Sequence, residues 1–227
     1  INEVDMGMTG TLPCLNKRGV EFAIRVCHAL HMEIDELLCF DRKNYYYSDL
    51  PKGFQITQDK RPIGRNGYLM IEVDGEEKRI DIERLHMEED TAKQLHLTDY
   101  SLIDYNRAGI PLIEIVTKPC IRSGKEASAY LEALRQVFLY TEVSDAKLEE
   151  GSMRCDVNVS IRPFGQETFG TRTEIKNLNS ISNVQKAIDY EAGRQQEVIE
   201  SGGEVLQETR RYDEVEKVTT VMRSKGD

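Results

Sequence analysis

The sequence predicts an α+β fold with a mostly antiparallel sheet and helices on one side of it. Residues 68–90 have the composition of two strands, and Asp74-Gly75 between them is typical of a primed hairpin turn. Residues 153–162 alternate between apolar and polar side chains, as a half-buried strand does. Apolar residues at helical spacing follow a helix-capping residue in three places, at residues 16–31, 123–140 and 180–201.

Composition limits the classes of protein to which the chain can belong. It has 227 residues, of which 39% are hydrophobic and 31% are charged, so it is polar but globular. No apolar run approaches the roughly 20 residues of a membrane-spanning helix. The five cysteines form no CxxC pair, which disfavours a zinc site or a disulfide framework and favours reduced, cytosolic-type thiols. A net charge of −10 argues against a broad surface for polyanions but permits a small basic pocket.

Residues that form turns or interrupt helices and strands predict three local features of the chain. Gly64-Arg-Asn-Gly67 lacks the Gly-Lys-Ser/Thr ending of a phosphate-binding loop and is predicted to be a turn. Residues 91–100 are predicted to be a mobile polar connection. Pro111 places the following strand at a sheet edge or at its own first residue.

An acidic stretch, Arg84–Asp90, places three carboxylates in a row beside His86. A second run, Ile110–Val116, is predicted to bury Glu114 among apolar residues, where a charge is costly unless it is paired. A hard cation such as Mg²⁺ is one such partner, whereas the alternative for the acidic stretch is a solvated loop. Strand alternation would sort the side chains into two sets, with Leu85, Met87 and Glu89 on one face and His86, Glu88 and Asp90 on the other.

Basic and aromatic residues alternate in Phe40–Asp49. Such a pattern occurs in ordinary edge strands, but it can also hold phosphate by charge and a purine by stacking. Arg42 and Lys43 are the candidates for phosphate contacts, and Lys52 is a further cation on a glycine-containing turn.

A polar face is predicted on the strand at residues 153–162 and on its neighbour at residues 171–176. A polar strand face is commonly just solvated. Two neighbouring strands with mixed charges can instead form a concave site for phosphates and a metal. The side chains in question are Arg154, Asp156, Asn158, Ser160 and Arg162 on the first strand and Arg172, Glu174 and Lys176 on the second.

Several long motifs are similar to those of one enzyme family. They are Phe40-Asp-Arg-Lys-Asn-Tyr45, Leu85-His-Met-Glu-Glu-Asp90, Asn106 to Ile115, Glu149 to Asn158 and Glu174 to Ser180. In this order they resemble the B subunits of aspartyl/glutamyl-tRNA amidotransferases over essentially the whole chain. The resemblance implies a single cradle domain over residues 1–227 with a glutamine synthetase-type catalytic fold. It also implies that the family's N-terminal strand and C-terminal helical and tail regions lie outside this chain.

The resemblance implies a ligase that uses ATP and Mg²⁺. It would phosphorylate the side-chain carboxylate of Glu-tRNA(Gln) or Asp-tRNA(Asn), and ammonia from a partner amidase would then displace phosphate to give Gln-tRNA(Gln) or Asn-tRNA(Asn). The implied protein partners are the amidase, which is the family's A subunit, and the small C subunit, and together they would form a heterotrimer. The mischarged tRNA is a further implied partner. The expected compartment is the bacterial cytoplasm, with an organelle as the alternative, and the isolated chain is expected to be inactive.

The resemblance also assigns site residues. Glu89 and Glu114 match the family's metal-binding glutamates, and Lys43 lies in a matched motif as a contact for phosphate or for the substrate carboxylate. These three are the predicted catalytic residues. The predicted ATP or phosphate contacts are Arg42, Lys43, Arg154, Asn158 and Lys176. Asp156 is added to the metal ligands on the basis of the predicted polar face.

Two other functions fit parts of the sequence. A non-catalytic module that docks tRNA or another protein of the complex would use the acidic face as a protein interface. An independent glutamine amidase is disfavoured, because the chain lacks a nucleophile elbow and a recognisable catalytic Cys–His setting.

Overall fold

A computed structural model of the chain describes residues 1–224, with side chains up to residue 222. Its elements in chain order are α1 (Lys17–Ala29), β1 (Glu33–Ile34), β2 (Asp41–Asn44), β3 (Phe54–Thr57), β4 (Gly64–Val73), β5 (Glu76–Glu89), β6 (Lys93–His96), β7 (Ser101–Asp104), β8 (Pro111–Thr117), α2 (Gly124–Tyr140), β9 (Val157–Val159), β10 (Thr173–Lys176), α3 (Ile181–Glu200), β11 (Glu208–Asp213) and β12 (Val218–Ser224). Helices and mostly antiparallel strands confirm the predicted α+β class. The glutamine synthetase-type fold stays a prediction.

Contacts between residues divide the chain into two compact units. Unit 1 comprises residues 1–69 and 80–120, and unit 2 comprises residues 70–79 and 121–227. This division is finer than the single domain predicted over residues 1–227, which stays a prediction. In the part of the chain that the structure describes, no helix has the length and apolar character needed to cross a membrane.

Unit 1 is organised around a sheet with strand order β1–β4–β5–β8. Helix α1 begins after Asn16, whose side chain accepts a hydrogen bond from the Gly19 N–H at 3.2 Å, as the predicted cap requires. Side chains of α1 and β5 form much of the apolar core, and the fully buried ones include Val26, Cys27, Ile80, Ile82 and Leu85. This core fixes β5, the strand that carries the acidic stretch.

The predicted hairpin between β4 and β5 is confirmed. Asp74 and Gly75 both have positive φ, at 57° and 81°, which is the backbone of a type I′ turn. Strand β8 begins at Pro111 and lies at the edge of the sheet, as the proline predicted.

Unit 2 contains a second sheet with strand order β12–β11–β10–β9. Strands β10 and β11 pair in parallel, whereas β9 and β12 pair with their neighbours in antiparallel fashion. Helices α2 and α3 begin at the predicted caps, where the hydroxyls of Ser123 and Ser180 each accept a backbone N–H at 3.1 Å. The two helices pack against each other, and α3 also contacts β9 and β12.

The turn predicted at Gly64–Gly67 is wrong, because these residues begin β4, and the first two of them, Gly64 and Arg65, pair with β1. A Cβ atom on Gly67 would lie 2.6 Å from the carbonyl oxygen of Leu30, and one on Gly64 would lie 2.6 Å from the sulfur of Cys27. The glycines therefore permit a close approach between β4 and the end of α1, and they do not mark a reversal of the chain.

The mobile connection predicted over residues 91–100 is also wrong in part. Strands β6 and β7 form an antiparallel hairpin in which Leu95 lies opposite Leu102. The Leu97 N–H donates to the Tyr100 carbonyl at 2.9 Å and closes the turn. Burial along β6 and β7 does not alternate, so the apolar–polar pattern that marks a half-buried strand is missing from this segment.

The strand predicted over residues 153–162 is limited to β9, residues 157–159. A turn occupies the preceding residues, since the N–H groups of Ser152 and Met153 both donate to the Lys147 carbonyl. Strand β10 offers partners only to residues 157–159, so the alternation beyond them has no ladder to join.

Candidate functional site

The acidic stretch lies on β5, and its register with β8 brings a histidine and two glutamates together. His86 pairs with Glu114 across the two strands, and Glu88 lies two residues further along the same face. The His86 Nε2 atom is 3.5 Å from Glu114 Oε2 and 3.9 Å from Glu88 Oε2. One ligand atom from each of these three side chains lies within 4.8 Å of the others. We call His86, Glu88 and Glu114 the β5–β8 cluster.

The donor set of the β5–β8 cluster suits a divalent cation. Two carboxylates held close together repel each other, and a cation between them removes that repulsion. The imidazole is almost fully buried, with its side chain 7% exposed, and turns Nε2 toward both carboxylates. A metal ion could therefore take an oxygen from each glutamate and the ring nitrogen from His86.

The prediction that Glu114 is buried is wrong, because its side chain is 53% exposed. Strand alternation turns the neighbouring Ile113 and Ile115 to the opposite face, and β8 lies at the sheet edge, so these residues do not enclose Glu114. Its carboxylate is consequently accessible to an ion or a substrate.

Glu89 does not join the β5–β8 cluster, so the structure separates the two glutamates that the resemblance pairs as ligands. Glu89 lies opposite Pro111 and, by strand alternation, on the other face from Glu114. Its carboxylate lies 2.5 Å from the Lys52 ammonium and accepts the Ile56 N–H at 2.8 Å. The predicted division into two faces fits this arrangement, whereas the role of Glu89 as a metal ligand stays a prediction.

Asp90, the third carboxylate of the stretch, is also separate from the cluster. Its side chain is 3% exposed, and it lies 2.8 Å from Arg107 Nε. The Asp90 backbone bonds to Ile110 and Gly109, so this residue ties the end of β5 to the start of β8. We interpret Asp90 as structural.

Arg42 and Lys43 lie on β2, which forms a two-stranded sheet with β3. Both side chains are exposed. The Arg42 guanidinium lies 4.5 Å from the Phe54 ring centroid, and the Lys43 ammonium lies 5.3 Å from that of Tyr45. The predicted combination of cations with aromatic faces is therefore present, and the phosphate contacts stay a prediction.

The other predicted site residues lie in unit 2. Asn158 and Glu174 are paired across β9 and β10, and Lys176 lies two residues further along the same face. The Lys176 ammonium is 2.5 Å from Asp156 Oδ2 and 3.2 Å from Glu174 Oε1. Arg154 is exposed just before β9. The polar face is thus present, over a shorter strand than predicted.

The charges around Lys176 determine its protonation. Burial alone would lower its pKa, but hydrogen bonds to Asp156 and Glu174 and the charges of both carboxylates outweigh burial and hold the pKa above its ordinary value of 10.5. Asp156 is engaged by an ammonium, and in the part of the chain that the structure describes it belongs to no group of three metal-binding side chains. Its assignment as a metal ligand stays a prediction.

Sequence reasoning missed two glutamines that support the acidic strand. The Gln55 amide donates to the Glu89 carbonyl at 2.8 Å. The Gln58 side chain accepts the Met87 N–H at 3.0 Å, and its amide donates to the Cys39 carbonyl at 2.8 Å. A buried glutamine has no distinctive signal in a single sequence, and only the repetition in Gln55-Ile-Thr-Gln58 draws attention to them.

Comparisons of this chain with a family model and with individual proteins agree with each other. The family model described as GatB/GatE catalytic domain matches residues 1–227. A relative from Mesoplasma florum, named as the B subunit of aspartyl/glutamyl-tRNA(Asn/Gln) amidotransferase, is 58% identical over 227 residues, which are 100% of this chain and 47% of the relative. A relative of the same name from Staphylococcus aureus strain MRSA252 is 58% identical over 224 residues, or 99% of this chain and 47% of the relative. The chain therefore spans about half the length of the curated relatives that it matches.

Proposed function

The chain belongs to the GatB/GatE catalytic domain family, and from that premise we propose that it is the ATP-dependent catalytic domain of a tRNA-dependent amidotransferase. Its relatives are named as B subunits of aspartyl/glutamyl-tRNA(Asn/Gln) amidotransferase. The proposed substrates are Glu-tRNA(Gln) or Asp-tRNA(Asn), and the products are Gln-tRNA(Gln) or Asn-tRNA(Asn). The enzyme is thus a carbon–nitrogen ligase of protein biosynthesis.

The proposed reaction has two steps. A side-chain carboxylate oxygen attacks the γ-phosphorus of ATP, the bond to the β,γ-bridging oxygen breaks, and ADP leaves. Ammonia then attacks the acyl carbon, the bond from that carbon to the phosphorylated oxygen breaks, and phosphate leaves while the nitrogen loses a proton. The first step is needed because a free carboxylate is a poor electrophile whose oxygen is a poor leaving group.

The observation that carries this proposal is the β5–β8 cluster. In phosphoryl transfer, the protein mainly positions the reactants and neutralises charge. His86, Glu88 and Glu114 would hold the divalent cation, with two anionic oxygens and one ring nitrogen directed at one point. When bound there, Mg²⁺ would neutralise charge on the phosphate oxygens.

The remaining predicted residues would act on phosphates and the substrate. In unit 1, the exposed Arg42 and Lys43 would contact phosphate oxygens, and Lys43 could also hold the substrate carboxylate. In unit 2, the sharing of Lys176 between two carboxylates keeps it protonated, and Arg154 and Asn158 would supply further donors.

The proposed enzyme works with partners. The amidase, which is the A subunit of the proposed heterotrimer, would release the ammonia, and a small C subunit would complete the assembly. The bacterial cytoplasm is the proposed compartment. Because the ammonia would come from the amidase, we propose that this chain does not carry out glutamine-dependent transamidation alone. The competing function is a non-catalytic docking module that uses the acidic face as a protein interface.

We expect divalent-dependent protection of the protein by nucleotide. In a thermal unfolding experiment on the full-length protein, ATP with Mg²⁺ should raise the unfolding temperature by a few degrees, because a ligand present at 100 times its Kd stabilises by about 2.7 kcal/mol. ATP with a chelator and Mg²⁺ alone should each have a smaller effect. Equal unfolding temperatures under all three conditions would favour the docking module.

A further inference from the structure

The loop between β9 and β10, in unit 2, presents a phenylalanine to solvent. Phe164 is the most exposed large hydrophobic residue in the described part of the chain, with a relative exposure of 110%. It lies in a turn in which the Gln166 N–H donates to the Pro163 carbonyl at 3.1 Å. A completely exposed phenyl group contributes no burial to the folding of unit 2, so its apolar surface is available to a partner.

Two contacts of Arg162 hold this loop in one shape. Its guanidinium donates to the Glu167 carbonyl and lies 4.6 Å from the Phe169 ring centroid, on the other side of the loop. Because these contacts already restrict the loop, little conformational entropy is lost when a partner binds there. Aromatic side chains that are held in place in this way are typical of the residues that dominate the affinity of protein interfaces.

A cavity of about 300 Å³ lies at the base of the same loop. Residues at both ends of the loop, on α3 and in the segment after α3 line it; they include Ile161, Thr171, Gln195, Ile199, Glu204 and Val205. At about 30 Å³ for each water molecule in the liquid, this volume equals that of about ten waters, which is enough for one long side chain.

The cavity offers hydrogen-bond acceptors and no cation, since none of its lining residues is Lys or Arg. Glu204 is exposed, and its carboxylate has no hydrogen-bond or ion-pair partner among the residues that the structure describes. Gln195 is 1% exposed, and its Oε1 atom also lacks a hydrogen-bond partner there. Its Nε2 atom donates to the Val159 carbonyl at 3.1 Å and to the Glu191 carboxylate at 2.9 Å. Because both of these groups only accept, the amide cannot be reversed, and its oxygen remains a free acceptor.

These groups favour an ammonium or a guanidinium as the occupant of the cavity. Lys and Arg side chains only donate, so they match free acceptors, whereas a phosphate would meet the Glu204 carboxylate without a cation to hold it. The apolar walls at Ile161, Ile199 and Val205 would contact the methylene groups of a Lys or Arg side chain. The charges of this surface therefore fit a basic protein segment and not a nucleic acid.

We propose that the β9–β10 loop and this cavity form a docking surface for another protein subunit of the assembled enzyme. Phe164 enters an apolar pocket of the partner, and a lysine or arginine of the partner enters the cavity and pairs with Glu204. The inference rests on the proposed function only in that the enzyme has partner subunits.

The test is the dissociation constant between the full-length protein and its purified partner subunits, the amidase together with the C subunit, measured by isothermal titration calorimetry. Phe164→Ser should weaken this binding by about tenfold or more, as loss of an aromatic anchor does in other interfaces. Glu204→Gln should weaken it by about threefold or more and reduce its dependence on salt. Both residues are exposed, so both variants should fold as the unsubstituted protein does.

Tyr140→Ser and Glu197→Gln are the matched controls. Each removes an exposed aromatic or carboxylate group of unit 2 that belongs neither to the loop nor to the cavity lining. Both should leave the dissociation constant within about twofold of that of the unsubstituted protein. The affinity of the full-length protein for mischarged tRNA should not change in Phe164→Ser.

Unchanged affinity for the partner subunits in Phe164→Ser would overturn the inference, and so would weaker tRNA binding with normal subunit binding. Unchanged affinity in Glu204→Gln would overturn the assignment of a basic side chain to the cavity. If the unsubstituted protein binds the subunits and Phe164→Ser binds them equally well, the proposed function stands and only the docking surface lies elsewhere. If the unsubstituted protein does not bind them at all, the proposed assembly itself fails.

Discussion

Substitution of Glu114 by glutamine is expected to reduce ATP-dependent amidation by about 100-fold or more, because it removes one anionic ligand from the β5–β8 cluster. Glu88→Gln should have a similar effect for the same reason. Hydrolysis of glutamine by the partner amidase should remain, since that chemistry does not use the cluster. The two activities should be assayed separately in the complete enzyme.

The chain offers a closely matched control for Glu114. Glu83 lies on the same sheet, and its side chain is 52% exposed, against 53% for Glu114. Glu83→Gln should leave amidation within about twofold of the unsubstituted enzyme, as surface changes away from a site do. Full amidation in both Glu88→Gln and Glu114→Gln would show that the cluster is structural, and the active face would then have to be sought around Arg154–Arg162.

Substitution of Glu191 by glutamine is expected to destabilise unit 2 by about 3 kcal/mol, because removal of one partner leaves buried charges uncompensated. Glu191 is fully buried on α3 and lies 2.6 Å from Arg194 and 3.6 Å from Arg210. It also accepts hydrogen bonds from Gln195 at 2.9 Å and from the Thr219 hydroxyl at 3.0 Å. This network ties the helix to β11 and β12.

Hydrogen–deuterium exchange can measure the loss of stability in the Glu191→Gln variant. Amides of α3 and β12 should exchange faster in Glu191→Gln, whereas Glu197→Gln, an exposed position on the same helix, should behave as the unsubstituted protein does. Unchanged exchange in Glu191→Gln would mean that the guanidinium groups find other partners.

The stability conferred by Glu191 should also depend on pH. Burial alone would raise the pKa of Glu191, but hydrogen bonds from Arg194 and Gln195, the charge of Arg194 and the Thr219 hydroxyl outweigh burial and hold the pKa below its ordinary value of 4.5. The contribution is therefore complete above pH 4.5 and is lost as the pH falls through the folded-state pKa. The difference in the free energy of unfolding between Glu191→Gln and the unsubstituted protein should become smaller over that acidic range.

Local signals in the sequence were sufficient for the helices and the main hairpin. Asn16, Ser123 and Ser180 act as helix caps, and Asp74-Gly75 forms the predicted turn. These features depend on neighbours in the chain, so one sequence contains them. Gly64 and Gly67 misled the prediction because the reason for a glycine there is the distant Leu30 and Cys27, which no local pattern reveals.

The site was harder to predict because it depends on strand register. The residues of the cluster are all in the sequence motifs, but only the pairing of His86 with Glu114 selects Glu88 over Glu89 as their neighbour. The buried Glu191 and Gln195 could have been found, since they continue the buried stripe of Val184 and Ala187 at helical spacing. Gln55 and Gln58 could not, because their partners lie on another strand.

The most direct test of the metal site is equilibrium binding of Mn²⁺, a paramagnetic substitute for Mg²⁺, to the complete enzyme, followed by electron paramagnetic resonance. If His86, Glu88 and Glu114 hold the ion, one bound Mn²⁺ should be lost in Glu114→Gln and retained in Glu83→Gln. Binding of the same number of ions with the same affinity in Glu114→Gln, Glu88→Gln and the unsubstituted enzyme would contradict the assignment of the cluster as the metal site.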